Sequence, residues 1–283
     1  MMKLRKESIA RVLKKQKEER PLIHCMSDIS KSNDLEQSLL CFGGRCIMAY
    51  GIEEVYEITS ISNGLLIGLG ALDNSKILAM EKSLRVAKKK NIPVILDING
   101  VNYSIYRRNT ALSFLNRYNI DIIKGTDEEI KGLINSQKHH KNKEKDGNMK
   151  NNYRDFARKN KVFLVVKDEV CYITDGFSEF NISNGSKGLE KIFYMEEIFT
   201  GMLAVTTAIC ESREEKLEGL LIAILAFTIS QEFAEEKLAE SGIINLKESF
   251  FKSIMEIDAE KIDTYGKIIY EFKGQDLLKD KKS

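Results

Sequence analysis

The fold of this chain is constrained most by a series of short apolar runs, each followed by glycines or polar residues and then by a segment with helical periodicity. Four of these runs are GLLIG, IPVILD, IDIIKG and VFLVVK, which begin at residues 64, 92, 120 and 162. Continuous apolar runs of this length are typical of strands buried on both faces of a parallel sheet. The helical patterns between and after them cover residues 74–90, 108–118, 127–134 and 153–160. The alternation predicts an α/β fold with a mainly parallel central sheet and helices on both faces.

The rest of the chain adds elements at both ends of this alternating region. Leu4, Ile9, Val12 and Leu13 form the apolar face of a predicted amphipathic helix at the N-terminus. Further predicted elements are a short strand or loop at 22–26, a strand in RCIMAY, helices over 32–42 and 52–61, a β-hairpin over 170–183, and helices over 196–210, 218–241 and 246–256. Residues 137–152 are polar and predict an exposed or locally disordered insertion, and residues 264–283 predict a loosely attached charged tail. We expect one domain over residues 1–283.

Composition argues against several classes of partner. Lys and Arg total 44 and Asp and Glu total 42, a balance that gives no case for nucleic acid or a membrane surface. The longest apolar run, residues 220–229, is shorter than the roughly 20 residues that span a bilayer. The charged N-terminus lacks the apolar core of a signal peptide. Five cysteines suggest no disulfide framework and match no zinc spacing, so we expect a reducing cytoplasm.

The predicted sheet points to one of its edges as the ligand site. Ligands of open parallel sheets bind beyond the carboxyl ends of the strands. At these ends the sequence places Gly68 and Gly70, then Asp97 with Asn99 and Gly100, then residues 124–129, and finally residues 167–169. This placement is geometric and suits many chemistries.

The same residues belong to a longer pattern. PLIHCMSDISKSNDLEQSLLCFGGRCIMA is followed in order by IGLGAL, VILDINGVNYSIYR, IIKGTDEEI, VCYITDG, Asn184-Gly185 and Lys191. With natural spacing over residues 20–256, this pattern resembles that of the hydroxyethylthiazole kinases, a branch of the ribokinase-like fold. The resemblance implies transfer of the γ-phosphate of ATP, with Mg²⁺, to the hydroxyethyl group of a thiazole in thiamine biosynthesis or salvage. It also implies a homotrimer with sites near the subunit boundaries.

The resemblance assigns roles to individual positions. The pocket for the heterocycle corresponds to Asn33, Met48 and Gly70, and the acids associated with the metal correspond to Asp97 and Glu129. The positions that bind the phosphates of ATP correspond to Lys124, Thr126 and Lys167. Lys124 keeps the charge of the family's arginine but not its bidentate geometry.

Several of these residues also have structural interpretations. Asn33 suits a helix cap, and Met48 suits a core position. Glu129 lies in an acidic run at a helix start, where the helix dipole alone would explain it. Asp97 directly follows a buried strand, a position more typical of a functional group. His24 has no partner in the sequence, so we expect it to be structural.

The sequence departs from the family pattern at the phosphate-binding turn. The family motif KVTGTGC opens a helix there, whereas this chain has KIFYMEE from Lys191 in the same register. Glu197 takes the place of the cysteine, and the glycine-containing turn is replaced by Phe193, Tyr194, Met195 and Glu196. Glycines let the backbone approach a phosphate, whereas bulky side chains obstruct the approach and Glu196 repels it.

Two functions are open on this sequence. One is an active kinase with a rearranged loop, in which Glu197 acts as a carboxylate base and Lys191, Lys167 or Lys124 supplies charge. The other is a non-catalytic relative that binds a thiazole-like ligand or serves as a structural or regulatory subunit. Loss of a single oxyanion donor costs roughly 10²–10³ in rate, so loss of the whole turn weighs against transfer by the usual route.

Overall fold

The computed structural model describes residues 4–137, 149–186, 188–189, 195–241 and 246–273. The strands are β1 (Leu22–Met26), β2 (Arg45–Met48), β3 (Gly64–Gly68), β4 (Val94–Asp97), β5 (Ile122–Gly125), β6 (Phe163–Val166), β7 (Cys171–Thr174), β8 (Ser178–Ile182) and β9 (Ile268–Lys273). The helices are α1 (Lys6–Glu19), α2 (Ser32–Phe42), α3 (Val55–Ile61), α4 (Asn74–Lys90), α5 (Ile105–Arg117), α6 (Asp127–Gln137), α7 (Met149–Asn160), α8 (Glu196–Ala208), α9 (Arg213–Ser241), α10 (Leu246–Glu256) and α11 (Ala259–Tyr265).

The described strands form one sheet in the order β2-β1-β3-β4-β5-β6-β7-β8-β9. The pairs from β2 to β6 are parallel, and β7, β8 and β9 extend the sheet in antiparallel fashion. The register sets Gly68 beside Asp97, and Asp97 beside Lys124. The polar residues that end neighbouring strands therefore converge at one edge of the sheet, as the sequence predicts.

Helices cover both faces of the sheet, which confirms the predicted α/β fold. Alternating residues of one strand serve two separate cores: Leu66 packs with the helices α1, α2 and α8 to α11, whereas Leu65 and Ile67 pack with α3 to α7. This alternation explains why the strands have no polar face in the sequence.

Local sequence fixes the ends of several helices. The side chain of Asp73 caps α4 by accepting a hydrogen bond from the backbone N–H of Lys76 at 2.8 Å. Asn91 ends the same helix in the left-handed conformation, with φ of 56°. These are favoured cap residues at the two ends, and α4 spans the predicted range.

Helix α8 packs closely on α2 at Gly201. A Cβ atom at Gly201 would lie 2.5 Å from Leu39 Cδ1 and 2.6 Å from Leu35 Cδ1. Because α8 is buried against α2 and the sheet, its N-terminus is held at the carboxyl edge of the strands.

The C-terminal segment corrects one prediction. Residues 268–273, expected to belong to a loose tail over 264–283, form β9 and pair with β8. Ile268 is buried with 3% exposure, whereas Ile269 is 51% exposed. This strand alternation extends the core, and β9 covers the edge of β8 that would otherwise be unpaired. Residues 274–283 lie outside the described residues.

Other elements also differ from the prediction. Helix α7 begins at Met149, inside the predicted insertion over 137–152, of which residues 138–148 lie outside the described residues. Strand β2, expected to be buried, is an edge strand whose residues are exposed or half-buried, because β1 is its one neighbour among the described strands. Helix α9 begins at Arg213 rather than 218, and its first turn carries Glu214 and Glu215, which suit a helix N-terminus.

Helix α9 is the one described helix that is long and apolar enough to cross a membrane. Of the apolar window in this helix, 78% is buried inside the protein. The burial explains its composition: α9 is a core helix that packs against α8 and α10.

Candidate active site

A cavity of about 190 Å³ lies where the carboxyl ends of β3 and β4 meet the first turns of α8. Its wall includes Asp28, Gly68, Gly70, Asp97, Glu197 and Thr200. A larger hollow of about 370 Å³ lies around residues 115–121 and 160–163. We place the candidate site in the smaller cavity, because it contains the converging carboxylates and lies at the edge that binds ligands in such sheets.

Asp97 is the central buried group of this site. Its Oδ2 accepts hydrogen bonds from Lys124 Nζ at 3.2 Å and from Thr200 Oγ1 at 2.9 Å. Its Oδ1 is buried and has no hydrogen-bond partner among the described residues. Burial raises the pKa of Asp97, although the charge of Lys124 and the hydrogen bond from Thr200 oppose the rise.

The ammonium of Lys124 links two carboxylates. It is 2% exposed and bonds to both Asp97 and Glu196, the first residue of α8. Burial alone would lower the pKa of Lys124, but the charges of Asp97 and Glu196 raise it well above its ordinary value. Lys124 is therefore a permanent cation that ties the end of β5 to the start of α8.

Glu129 and Thr126 form a capping box at the start of α6. Glu129 Oε2 accepts from the backbone N–H of Thr126 at 2.9 Å, and the backbone N–H of Glu129 donates to Thr126 Oγ1 at 3.4 Å. Glu129 Oε1 accepts from the backbone N–H of Gly100 at 2.6 Å. Both carboxylate oxygens thus hold backbone groups and fix the loop that follows Asp97. The charge of Glu129 still raises the pKa of Asp97.

Lys167, at the end of β6, is a second buried cation near α8. Its ammonium donates to the carbonyl oxygen of Asp168 at 3.4 Å and lies 5.9 Å from the ring centroid of Phe199. Burial raises the pKa of Glu196, but Lys124 and then Lys167 lower it more, so the pKa lies below its ordinary value. Lys167 and Lys124 therefore both act on the same carboxylate.

One of the three predicted pocket residues lines the candidate cavity. Gly70 lines the cavity, whereas Asn33 and Met48 are not among its lining residues. Asn33 is exposed near the start of α2, and Met48 is half-buried at the end of the edge strand β2. Their assignment to a substrate pocket stays a prediction.

His24 has the structural surroundings expected of it. Its Nε2 lies 3.0 Å from the carbonyl oxygen of Ala49, and its Nδ1 lies 2.9 Å from Thr59 Oγ1. Because the carbonyl can only accept, Nε2 carries the proton. Burial lowers the pKa of His24, which favours the neutral ring.

The segment that leads to the altered turn is anchored by a residue that the sequence patterns do not reveal. Glu232 on α9 accepts from the side-chain amide of Asn184 at 3.1 Å and from the backbone N–H of Gly185 at 3.1 Å. The sequence patterns do not reveal Thr200 either. It lies one turn after Glu196 on α8 and faces β4, where its hydroxyl donates to Asp97. Phe193 and Tyr194, expected to crowd the phosphate approach, lie outside the described residues.

Asp97 offers a ligand atom for a divalent cation. Mg²⁺ in phosphate-handling sites keeps several waters and uses one or two carboxylates plus phosphate oxygens. Asp97 Oδ1, buried and without a hydrogen-bond partner among the described residues, suits that role. The described part of the chain contains no group of three or more His, Cys, Asp or Glu residues that could hold a metal ion.

Comparison with known proteins identifies the family. A sequence model of the hydroxyethylthiazole kinase family matches residues 13–260. A hydroxyethylthiazole kinase from Clostridium perfringens (strain 13 / Type A) is 30% identical over 261 residues, covering 90% of this chain and 98% of that protein. Among solved structures, a hydroxyethylthiazole kinase protein from Pyrococcus horikoshii OT3 superposes with a TM-score of 0.81 at 24% identity, covering 94% of this chain and 99% of that one.

A more distant structure supports the wider fold class. A ribokinase-like superfamily protein from Enterococcus faecalis V583 superposes with a TM-score of 0.54 at 14% identity, covering 89% of this chain and 96% of that one. At such identities the structural likeness concerns the fold alone, while the sequence match over most of the chain identifies the family. This chain belongs to the hydroxyethylthiazole kinase family.

Proposed function

We propose that this protein uses Mg²⁺ and ATP to phosphorylate the hydroxyl group of a small heterocyclic alcohol of the hydroxyethylthiazole class. The observation that carries the proposal is the cavity in which Asp97 and Glu197 lie together, at the carboxyl edge of the sheet and beside the start of α8. Proton removal from a hydroxyl during phosphoryl transfer is work that a positioned carboxylate performs in other kinases.

In this proposal Glu197 is the general base. Its side chain lines the cavity from the first turn of α8, at the position where the family pattern has a cysteine. A substrate hydroxyl in the cavity would donate its proton to the Glu197 carboxylate as its oxygen bonds to the γ-phosphorus of ATP; the bond from that phosphorus to the β,γ-bridging oxygen would break and ADP would leave. Gly70 and Gly68 would leave room for the ring, since neither adds a side chain to the cavity wall.

Asp97 would bind the metal ion, and the buried lysines would bind the phosphates of ATP. Asp97 Oδ1 would hold Mg²⁺, which neutralises developing charge on the transferring phosphate when it is bound. Glu129 is proposed as a more remote partner of that ion, because its own oxygens already accept from Thr126 and Gly100. Lys124 and Lys167 would face the phosphates of ATP together with the start of α6 at Thr126.

One observation favours a second function, ligand binding without phosphoryl transfer. Lys124, the cation proposed for the phosphates, is already paired with Glu196. A phosphate would have to displace a carboxylate that the protein itself supplies, and Glu196 would repel it. A protein with an intact cavity and a blocked phosphate site would bind a thiazole-like ligand, alone or as a structural or regulatory subunit.

Calorimetry and a coupled assay of ADP release distinguish the two functions. A kinase binds both the thiazole alcohol and Mg·ATP and releases ADP only when the alcohol is present. Glu197→Gln should keep binding of the alcohol and lower turnover by at least about 10², the scale expected for a general base. Glu57→Gln, an exposed acid on α3, is the matched control. Binding of the alcohol without ADP release would support the non-catalytic function instead.

The setting of the protein is part of the proposal. We infer a cytoplasmic homotrimer, as the family resemblance implies. All five cysteines are free thiols, which suits a reducing compartment. Light scattering coupled to size-exclusion chromatography tests the oligomer, and a monomer in solution would contradict it.

A further inference from the structure

The hollow of about 370 Å³ lies at the other edge of the sheet from the candidate active site. Residues 118–121 and 160–163 line it, so it lies where β5 and β6 begin, whereas the candidate active site lies where β3 and β4 end. We call it the amino-edge hollow. Sites for small molecules have volumes of roughly 300–1,000 Å³, so this hollow has room for one small ligand.

The wall of the amino-edge hollow carries more positive than negative charge. Three cations, Lys161, Arg213 and Lys216, line it, and Asp121 is the one carboxylate among the described lining residues. Asp121 and Lys216 form an ion pair at 2.6 Å, whereas Lys161 and Arg213 form no ion pair with a residue that the structure describes. The helix ends around the hollow, positive at the start of α9 and negative at the ends of α5 and α7, carry about half a unit of charge each and do not reverse this balance. A ligand in the hollow would therefore meet two cations whose charge is not taken up by an ion pair.

Arg213 is held in place by the protein itself. Its guanidinium donates to the backbone carbonyl oxygens of Lys161 at 3.2 Å and of Asp175 at 3.3 Å, and it lies 4.5 Å from the ring centroid of Phe163. A guanidinium has five N–H donors, and these two bonds use two of them. Because the side chain is already ordered, a ligand that accepts from the remaining donors does not have to order it. The carbonyl oxygens are neutral, so they also leave the positive charge of Arg213 in place.

Lys161 has a backbone conformation that other residues adopt more readily. Its φ is 59°, in the left-handed region, and it directly follows the end of α7 at Asn160. Glycine and asparagine are the usual residues at such a helix end. Asn91 has the same place and the same conformation at the end of α4. The backbone therefore does not require a lysine here, and asparagine should replace it without cost to the fold.

We propose that the amino-edge hollow binds a small phosphate ester that carries hydroxyl groups, such as a sugar phosphate. The free donors of Arg213 and the ammonium of Lys161 suit phosphate oxygens, which form strong charge-assisted hydrogen bonds with both types of side chain. Asn119 and Asn160 also line the hollow, and their amide groups can bond to hydroxyl groups. The inference is independent of the proposed function, because the hollow and the candidate cavity share no lining residue.

Titration calorimetry of the full chain at low salt tests the inference with three probes: ribose 5-phosphate, ribose and inorganic phosphate. We expect ribose 5-phosphate to bind with a dissociation constant below about 1 mM and ribose not to bind measurably. Inorganic phosphate should bind at least about fivefold more weakly than the ester, because it fills less of the hollow. Added salt should weaken binding of the ester, since the binding depends on charge. Equal affinities for the ester and inorganic phosphate, or no binding of the ester, overturn the inference.

The Lys161→Asn variant locates the ligand. It removes one charge and supplies a residue that suits a φ of 59°, so its melting temperature should stay within about 2 °C of that of the wild type. Loss of one charged contact should weaken binding of ribose 5-phosphate by at least about fivefold. Arg213→Gln should weaken it by a similar factor. Lys252→Gln is the matched control, because Lys252 is 66% exposed on α10, and it should leave the affinity unchanged.

The Lys167→Met variant distinguishes the amino-edge hollow from the candidate active site, which is the other place proposed for a phosphate. We expect this variant to bind ribose 5-phosphate as the wild type does. Binding that is lost in Lys167→Met but kept in both Lys161→Asn and Arg213→Gln would place the ester in the candidate active site and overturn the inference. The proposed function stands in either case, because the alcohol-dependent release of ADP tests it separately.

Discussion

Replacing Lys124 by methionine tests the buried charge cluster that joins β4, β5 and α8. The ammonium lies 3.2 Å from Asp97 Oδ2 and also bonds to Glu196. Methionine keeps most of the side-chain volume but removes the charge. Asp97 would then be a buried carboxylate whose remaining hydrogen-bond donor is Thr200.

The structure bounds the size of the effect. At 3.2 Å two unit charges attract by about 5 kcal/mol if the effective dielectric constant is 20, which is a gross value before desolvation. Glu196 is 30% exposed and can be solvated, so Asp97 carries most of the loss. Asp97 can also take up a proton, which limits the cost. We expect Lys124→Met to lower the free energy of unfolding by about 3 kcal/mol at neutral pH, near the lower end for a broken buried pair.

Urea titrations at two pH values measure this effect and its cause. Without Lys124 the pKa of Asp97 rises further, so the folded state of the variant binds a proton more readily than the unfolded state. The loss in free energy of unfolding caused by Lys124→Met should therefore shrink as pH falls from 7 toward about 3.9, the pKa of an aspartate in the unfolded state. Asp97→Asn combined with Lys124→Met should cost less than the sum of the two single changes.

Lys131→Met is the control for this series, because Lys131 forms a half-exposed pair with Asp127 on α6. It should cost less than about 1 kcal/mol. The reasoning is refuted if Lys124→Met is no more destabilising than this control, or if its deficit is independent of pH.

Three further predictions concern the same region and the packing around it. The pKa of Glu196 lies below its ordinary value, so its ionised form stabilises the fold above about pH 4.3 and this contribution is lost as pH falls. The Glu196→Gln variant should therefore lose less stability than the wild type on acidification, as measured by urea midpoints. Gly201→Ala should destabilise the protein by about 1–3 kcal/mol through overpacking. Gly132→Ala should be neutral or stabilising, because a Cβ atom there makes ordinary contacts. Equal effects of the two variants on thermal unfolding would contradict the close approach of α8 and α2. Ile268→Ala should cost about 2–4 kcal/mol and the exposed Ile269→Ala much less, whereas a loose tail requires both to be silent in denaturant titrations.

Most of the architecture could be predicted because local patterns and the sheet agree. The strands around Leu66, Ile95 and Ile123 are buried on both faces, so each appears as a continuous apolar run. The cap residues of helix α4, Asp73 and Asn91, are of types that favour helix ends and can be recognised in the sequence. The edge strands are harder to predict from the sequence. Strand β2 is partly exposed, and β9 lies in a charged segment whose strand pattern covers only six residues.

The position of the candidate site could be predicted from the sequence, but the hydrogen bonds and ion pairs within it could not. The rule that ligands bind at the carboxyl ends of parallel strands selected Asp97 and Gly70, and both line the cavity. Sequence patterns did not reveal that Thr200 bonds to Asp97, because the two residues are 103 positions apart. The pairing of Lys124 with Glu196 was equally hidden: these side chains meet only because α8 is packed onto the sheet.

The sequence by itself determined the order of most strands and helices before residue 257, the family, and the replacement of a glycine-containing turn by bulky and acidic residues, because periodicity and motif spacing are properties of neighbouring residues. Only the tertiary structure decided what those residues do to one another. It turned Glu129 into a helix-capping group, joined Lys124 to two carboxylates, and gathered Asp28, Asp97 and Glu197 in one wall. The physical reason is that the charge balance and desolvation of a buried group depend on every element packed around it, however distant along the chain.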